Sequence, residues 1–347
     1  MRIVGASKAV TMRDVAAVAG VSISTVSKAL KGTGRMSEET RQRVFDAADR
    51  LDFHPNALAQ NFALGKSFTV GILTHKAAGT FAMPVITGVM STLSKHDIAV
   101  IVYDDENDPS SRPANIRKLQ ARRVDGIVVV GDGTDSLSAS ITRGFAVPVV
   151  HAFAVSDRAE DTSLLPDDRE AGRLAAEHLL AQGRTRIAHV TAAAPSRAVR
   201  ERLAGFRSVL DDAGVQLVTP VLHGDWSRAW GVQAGNQLDI GAIDAVFCGN
   251  DFIALGLSKT LIGRGVHVPQ DVAVVGYDNW SKFGAQDHFL TTVDPLLDVL
   301  GQRAAERLVA AADSGLEPGV ELLPVELVPG VSSGAIDGSD ESFFSIL

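Results

Sequence analysis

Four side chains near the N-terminus, Ile23, Ser24, Ser27 and Lys28, are spaced to act together. On a helix, residues 24 and 28, and likewise 23 and 27, stand one turn apart and project from one side. Such a side is the right size to enter a major groove. Lys28 can donate to guanine O6 or N7, Ser24 can bond several base edges, and Ile23 can touch a thymine methyl. Thr25 and Ser27, with Arg13, Lys31, Arg35 and Arg41, are candidates for phosphate contacts, which position a protein without reading sequence. A small helical bundle with a solvated face fits the same spacing.

A second set of polar residues falls at the ends of apolar runs further along. Asn250-Asp251 follows the run to Cys248, and Asp278-Asn279 follows Val272–Tyr277. Asp167-Asp168 precedes a helical pattern, Arg202 lies at the start of another, and Trp226 follows Gly224-Asp225. Asp167, Asp225 and Asp251 fit equally well as helix N-caps, and an isolated tryptophan is usually core. Several such residues at strand ends together point to a ligand site.

The elements that must carry these residues are legible from periodicity. Met12, Val15, Ala16 and Ala19 follow the i, i+3, i+4, i+7 spacing of an amphipathic helix, and Gly20 supplies the left-handed residue that ends it. Ser22 caps a second helix with Val26, Ala29 and Leu30 inward, which Gly32 and Gly34 terminate. Ser37 caps a third, with Val44, Ala47, Ala48 and Leu51 inward. Three short helices with a tight glycine turn between the first two make a helix-turn-helix unit. Pro55 stops the third helix, and Asn56 can cap a short segment, Ala57 to Ala63.

From residue 68 to 334, short Val/Ile-rich runs alternate with helical patterns. The runs are Phe68–Leu73, Ile98–Tyr103, Gly126–Val130, Val147–Val150, Arg186–Val190, Ala245–Cys248 and Val272–Gly276. The helical patterns include Arg169–Gln182, Arg200–Ala213, Phe252–Gly263 and Pro295–Ala312. Such alternation predicts buried parallel sheets. Two rounds of it, broken near residues 160–168, predict two lobes with a ligand between them, outside the carboxyl ends of the strands. The expected fold class is an all-α helix-turn-helix head plus an α/β, two-lobed body like that of periplasmic binding proteins. The expected boundaries are 1–54 for the head, 55–67 for a hinge helix and linker, 68–334 for the effector-binding and dimerisation body, and 335–347 for a tail. The tail has no heptads, which argues against a tetramerising coiled coil.

Residues 1–66 hold ten Lys/Arg against six Asp/Glu, whereas the whole 347-residue chain has a net charge of −8. A basic head on an acidic body fits a nucleic-acid partner. No apolar run reaches the length of a membrane span, and Met1 to Val10 lacks the apolar core and cleavage site of a secretory signal. The lone Cys248 cannot form an internal disulfide. These features lead us to expect a cytoplasmic protein. A periplasmic solute-binding protein would need a signal and would lack the helical head. A metabolic enzyme is disfavoured too: there is no phosphate loop, no G-x-G-x-x-G after a strand, no H-E-x-x-H and no clustered metal ligands. No catalytic residue, cofactor or metal is therefore expected.

The run Thr11-Met12-Arg13-Asp14-Val15-Ala16, Ala19-Gly20-Val21-Ser22 and Thr25-Val26-Ser27 resembles the DNA-binding head of LacI/GalR transcription regulators. The likeness continues through Ser37, Thr40-Arg41, Val44, Pro55-Asn56 and Ala59. It extends into the body through Arg202-Leu203-Ala204-Gly205-Phe206, Gly224-Asp225-Trp226, Cys248-Gly249-Asn250-Asp251, Val275-Gly276-Tyr277-Asp278 and Leu290-Thr291-Thr292. The resemblance implies that Ile23, Ser24 and Lys28 read bases; Lys28 stands where the family usually has arginine. It implies a DNA-induced hinge helix entered by Asn56, with Leu58 on its apolar side and Phe62 as the minor-groove wedge where the family has leucine. It implies that Arg202, Asn250 and Asp278 hold effector polar groups and that Trp226 stacks on a ring. Arg and Asp in a cleft can clamp vicinal hydroxyls, so a sugar or nucleoside-like effector is expected. Asp167 at the lobe crossing, and Thr74, His75 and Phe81 in a first-lobe loop that departs from the family pattern, are further candidate contacts. A homodimer on a palindromic operator, regulated by the effector and expected to repress, completes the implication.

Overall fold

The computed structural model describes residues 10–30, 32–54, 65–75, 77–105, 108–131, 133, 137–280 and 289–334. The chain divides into two compact units after Ser67.

The first unit contains α1 (Met12–Ala19), α2 (Ile23–Leu30) and α3 (Glu38–Arg50). Each start has its own device. The Asp14 carboxylate accepts from the Thr11 backbone N–H at 2.9 Å and from its hydroxyl at 2.7 Å. Ser22 Oγ accepts from Thr25 N at 3.1 Å, and Ser37 Oγ from Thr40 N at 3.2 Å. Gly20 closes α1 at φ 67°, a backbone conformation only glycine adopts without cost. Val15, Val26 and Val44, one from each helix, are fully buried, with alanines filling the space between them. Met12, expected on the inward stripe, is instead 37% exposed: it is the first helical residue, ahead of the turn that meets α3. Leu51 lies one residue past the end of α3 and is half-buried.

The second unit is built on two six-stranded sheets. Lobe 1 has the order β11-β5-β4-β3-β1-β2, from β1 (Thr69–Thr74), β2 (Ala99–Asp104), β3 (Gly126–Val130), β4 (Val149–Ala152), β5 (Thr162–Pro166) and β11 (Gly319–Leu323). All its neighbouring pairs are parallel. Lobe 2 has the order β12-β10-β9-β8-β6-β7, from β6 (Ile187–Ala192), β7 (Leu222–Gly224), β8 (Ala245–Cys248), β9 (Ala273–Tyr277), β10 (Thr291–Asp294) and β12 (Glu326–Val328). Here β12 runs antiparallel to β10, so the second sheet is mixed rather than purely parallel. Helices α4 (Ala82–Ser94), α5 (Arg112–Arg122) and α10 (Leu297–Ser314) belong to lobe 1. Helices α6 (Asp168–Ala181), α7 (Arg197–Asp212), α8 (Arg228–Gln237) and α9 (Asp251–Gly263) belong to lobe 2.

The single break expected near 160–168 is one of three crossings. The chain passes from lobe 1 to lobe 2 between β5 and α6, returns between β10 and α10, and leaves again between β11 and β12. Leu297, Leu300, Ala304 and Leu308 of α10 pack in the lobe 1 core beside Val85, Val89 and Leu164. The helix pairs cross on reciprocal glycines. A Cβ on Gly172 of α6 would collide with the Arg202 carbonyl of α7, and one on Gly205 of α7 with the Arg169 carbonyl of α6. Gly88 and Gly301 do the same for α4 and α10, and Gly231 and Gly256 for α8 and α9. Small residues let two backbones approach closely, which fixes where along its length each helix meets its partner.

Cys248 is buried in lobe 2, and burial raises its thiol pKa, as befits a small core residue. His189 of β6 is also fully buried, stacked on Phe247 at 4.9 Å and on Phe206 at 5.8 Å between ring centroids. Its Nδ1 donates to the Phe247 carbonyl at 2.9 Å, while Nε2 is buried with no partner. Burial therefore pushes its pKa down to about 4. The unfolded chain takes up this proton near pH 6.5, well before the folded one does, so the contribution of His189 to the stability of lobe 2 falls as pH drops from about 6.5 to about 4. The loss at the acid end is about 3 kcal/mol. Thermal unfolding of both proteins across this range will show the stability of the wild type relative to His189→Leu falling as pH drops, even if that variant melts lower at neutral pH.

Candidate functional site

The outward side of α2 is fully formed. Ile23 is 43% exposed, Ser24 and Lys28 are exposed, and Thr25 and Ser27 are half-buried. The opposite side, Val26 and Ala29, is sealed in the three-helix core. Ser22 Oγ also bonds Ser24 Oγ at 2.9 Å and Thr25 Oγ1 at 2.8 Å, which orients the first turn. The Lys28 stem passes over Gly34, where a Cβ would sit 3.2 Å from Lys28 Cδ. The stem thus runs along Gly34 while the residue as a whole stays exposed. Arg41 is drawn toward Glu38 at 3.6 Å. Asn56, Leu58 and Phe62, the expected hinge contacts, lie outside the described residues, as does Lys31.

In the second unit the two lobes face each other across a cleft. Its inner part, about 570 Å³ with its open mouth, is lined by Phe81, Gly133 and Phe153 of lobe 1 and by Arg202, Trp226, Asn250, Phe252 and Asp278 of lobe 2. An adjoining part of about 760 Å³ is lined by Leu137, Leu165, Asp168, Pro195, Arg197, Arg200 and again Arg202.

Arg202 is the centre of the lobe 2 wall. Its Nε donates to Asp168 Oδ1 at 2.8 Å and its Nη1 to the Gly249 carbonyl at 2.6 Å. The guanidinium lies 3.3 Å from the centroid of the Tyr277 ring and 5.6 Å from that of Trp226. Burial works against its charge, yet Tyr277, Asp168 and Asp278 hold its pKa above the ordinary arginine value. Asp278 takes the opposite course. Burial, with Asp251, Asp168 and Asp294 nearby, pushes its carboxyl well above the usual range despite Arg202. Its neighbour Asp251 is raised to about 7 by burial, against bonds from Thr292 Oγ1 and Trp280 N, each at 2.7 Å. The wall thus holds Asp168 bonded to Arg202, and two further acids, Asp278 and Asp251, that burial drives toward the neutral form.

Two cleft residues have strained backbones. Asp278 sits at φ 114° and Phe153 at φ 55°, conformations that cost about 1–3 kcal/mol and cluster at ligand sites. Gly133, at φ 72°, has no room for a Cβ because the Phe153 ring occupies that space. Phe153 in turn meets Phe81 at 6.2 Å between centroids, giving lobe 1 an aromatic wall.

Of the residues expected from sequence, Phe81, Arg202, Trp226, Asn250 and Asp278 meet at the inner cleft. Asn250 does so while capping α9: its Oδ1 accepts from Ile253 N at 2.9 Å and its Nδ2 reaches the Trp226 carbonyl at 3.4 Å. Asp167 is the N-cap of α6, accepting from Arg169 N and Glu170 N. The acid that meets Arg202 is the next residue, Asp168. Asp251, unlike Asp167, is not a cap, since Asn250 holds that role. Thr74 is buried at the end of β1, and His75 bonds the buried Asp105 at 3.0 Å, which Arg112 also engages at 3.1 Å. Neither lines the two cleft spaces. Phe153, Arg197 and Arg200 are not marked by the sequence reading, and Asp168 enters it only as the neighbour of Asp167. Arg200 carries a signal, lying two residues before Arg202, but Arg197 and Phe153 stand in no pattern that marks them.

A family model described as bacterial regulatory proteins, lacI family, matches residues 11–56, and one described as periplasmic binding proteins and sugar binding domain of the LacI family matches residues 67–322. The chain belongs to the LacI family. The ribose operon repressor of Escherichia coli (strain K12) is 32% identical over 308 residues, covering 86% of this chain and 92% of that protein. The repressor PurR of Vibrio parahaemolyticus is 32% identical over 305 residues, 86% and 91% of the two chains. The crystal structure of the lac repressor dimer bound to operator and the anti-inducer ONPF superposes with a TM-score of 0.75 at 29% identity, covering 94% of this chain and 99% of that one. As a LacI-family member the chain is a DNA-binding transcription regulator and not an enzyme. Among the described residues no helix is long and apolar enough to cross a membrane, and no His/Cys/Asp/Glu group is arranged to hold a metal.

Asp168→Ala will leave the buried Arg202 guanidinium without its carboxylate. The expected cost is about 3 kcal/mol, measured as a lower urea midpoint with an unchanged slope. A loss under about 1 kcal/mol would mean that the pair behaves as a solvated one.

Proposed function

We propose that this LacI-family regulator binds a palindromic operator as a homodimer, represses from it, and takes a sugar-like effector in the interlobe cleft. One observation carries the DNA half: the Ile23, Ser24 and Lys28 side of α2 is exposed while its other side is sealed in the core. Ile23, Ser24 and Lys28 read base edges in the major groove, with Thr25 and Ser27 on phosphates. Two heads related by the dimer axis meet two half-sites, and Asn56, Leu58 and Phe62 enter the intervening minor groove. A single lysine replaces a bidentate arginine fork with a point charge, so its base preference is broader.

For the effector half, support comes from the chemistry of the cleft. Aromatic walls from both lobes face a buried arginine and polar groups at strand ends, which suits a hydroxylated ring. Ligand bridging the walls favours a closed arrangement of the lobes. It changes DNA affinity only through its differential affinity for the two arrangements.

The test is fluorescence anisotropy on a duplex selected from a randomised palindromic library. Lys28→Ala will reduce discrimination between the selected and a scrambled duplex by about 1–2 kcal/mol. Arg13→Ala will weaken both duplexes alike and reduce the salt dependence. Equal wild-type affinity for selected and scrambled duplexes would overturn the proposal. Removal of residues 1–66 will abolish DNA binding.

A further inference from the structure

Helix α5 is a basic element on an acidic body. From Pro109 to Val124 the sequence has five cations, Arg112, Arg117, Lys118, Arg122 and Arg123, and no acid. Arg112 is tied to Asp105 at 3.1 Å. The other four are exposed, and none is paired with a carboxylate among the described residues. Buried Asn115 and Leu119 seat the helix on the lobe. Lys118 and Arg122, one turn apart, are organised by Tyr103 of the edge strand β2. Lys118 Nζ donates to Asn115 Oδ1 at 3.0 Å and lies 5.3 Å from the centroid of the Tyr103 ring, while Arg122 Nε donates to the Tyr103 hydroxyl at 2.8 Å. Each bond uses one donor of several, so the ammonium and guanidinium groups keep others for an anion. A cation already positioned also loses little freedom when that anion arrives.

Arg123 adds a second sign. It is the C-cap of α5, at φ 51°. Glycine takes this left-handed conformation without cost, and the chain uses it to end α1. At the end of α5 an arginine holds the position despite its Cβ. A cation there complements the negative end of the helix dipole, but that effect fades within the last turn and does not account for Arg117.

The place of the helix end identifies the anion. Two residues after Arg123, the Asp125 backbone N–H donates to the carbonyl of Thr69, the first residue of β1, at 2.8 Å. The cations therefore end beside the point where the body's chain begins. Residues 55–67, which join it to the head, span at most about 45 Å when extended. Duplex gripped by the head is tethered to this end of lobe 1 at an effective concentration of about millimolar order, where even a weak electrostatic contact is occupied. We infer that the exposed cations of α5 bind phosphates of the duplex DNA flanking the sequence that the head reads. This surface is distinct from the base-reading side of α2, and it adds affinity without adding sequence information.

The full-length protein is titrated by fluorescence anisotropy at several salt concentrations with two duplexes. One is the core selected from the randomised palindromic library. The other is the same core extended at each end by about ten base pairs, one helical turn, of arbitrary sequence. The slope of log affinity against log salt is expected to be steeper on the longer duplex by about 2–4, at about 0.9 for each phosphate neutralised. In the combined variant Arg117→Gln, Lys118→Gln, Arg123→Gly that difference will fall by more than half, while affinity for the core duplex is kept. Glycine suits the left-handed position, so the variant retains the end of α5. The inference is overturned if the wild type gives the same slope on both duplexes, or if the variant keeps the full difference. Flanks that add nothing, together with a polyglutamate peptide bound by the wild type and not by the variant, would overturn it in favour of an acidic protein partner. Discrimination between selected and scrambled cores is read on the same preparation. Its failure strikes the regulator proposal, whereas intact discrimination with no contribution from the flanks strikes this inference alone.

Discussion

A buried guanidinium sets the geometry of the second lobe. Arg202 reaches from α7 to Asp168 at the start of α6, to the Gly249 carbonyl just after β8, and to the rings of Tyr277 on β9 and Trp226 after β7. A charge so enclosed is tolerable only if its partners are fixed. The close approach that fixes them is the crossing of α6 and α7 on Gly172 and Gly205. Packing therefore places the charge, and the charge places the cleft wall.

The same economy holds in the first unit at smaller scale. Fully buried valines from three helices seal one side of α2, so the other side is presented by default. The Ser22 hydroxyl, shared among Thr25 N, Ser24 and Thr25, orders the turn from which that side begins. Recognition residues can then vary without loss of fold, because none of Ile23, Ser24 and Lys28 is needed in the core.

Much of this was legible in the sequence. The Val/Ile runs located the central strands to within a residue or two, since a strand buried on both faces leaves a nearly continuous apolar stretch. Glycine and serine at helix ends located the head. The lobe membership of α10 was not legible, because an apolar stripe says that a helix is buried and not against which sheet. Nor could pattern separate Asp167 from Asp168: two adjacent acids precede one helix, and only the backbone decides which caps it and which turns to Arg202. Residue type found Arg202, Trp226 and Asp278, whereas Phe153 depended on a left-handed backbone that no periodicity announces.

The three crossings carry a mechanical meaning. Two bodies joined by one strand of chain can swivel about every axis. Joined by three short segments, each only a few residues long, they lose most of those degrees of freedom and keep chiefly a rocking about the line that the segments define. Helices locked in pairs by touching backbones cannot absorb the motion internally, because close-packed matter is stiff. Displacement at the mouth of the cleft is then delivered to the far faces of both lobes along a single path, as a lever transmits a small push to its opposite arm.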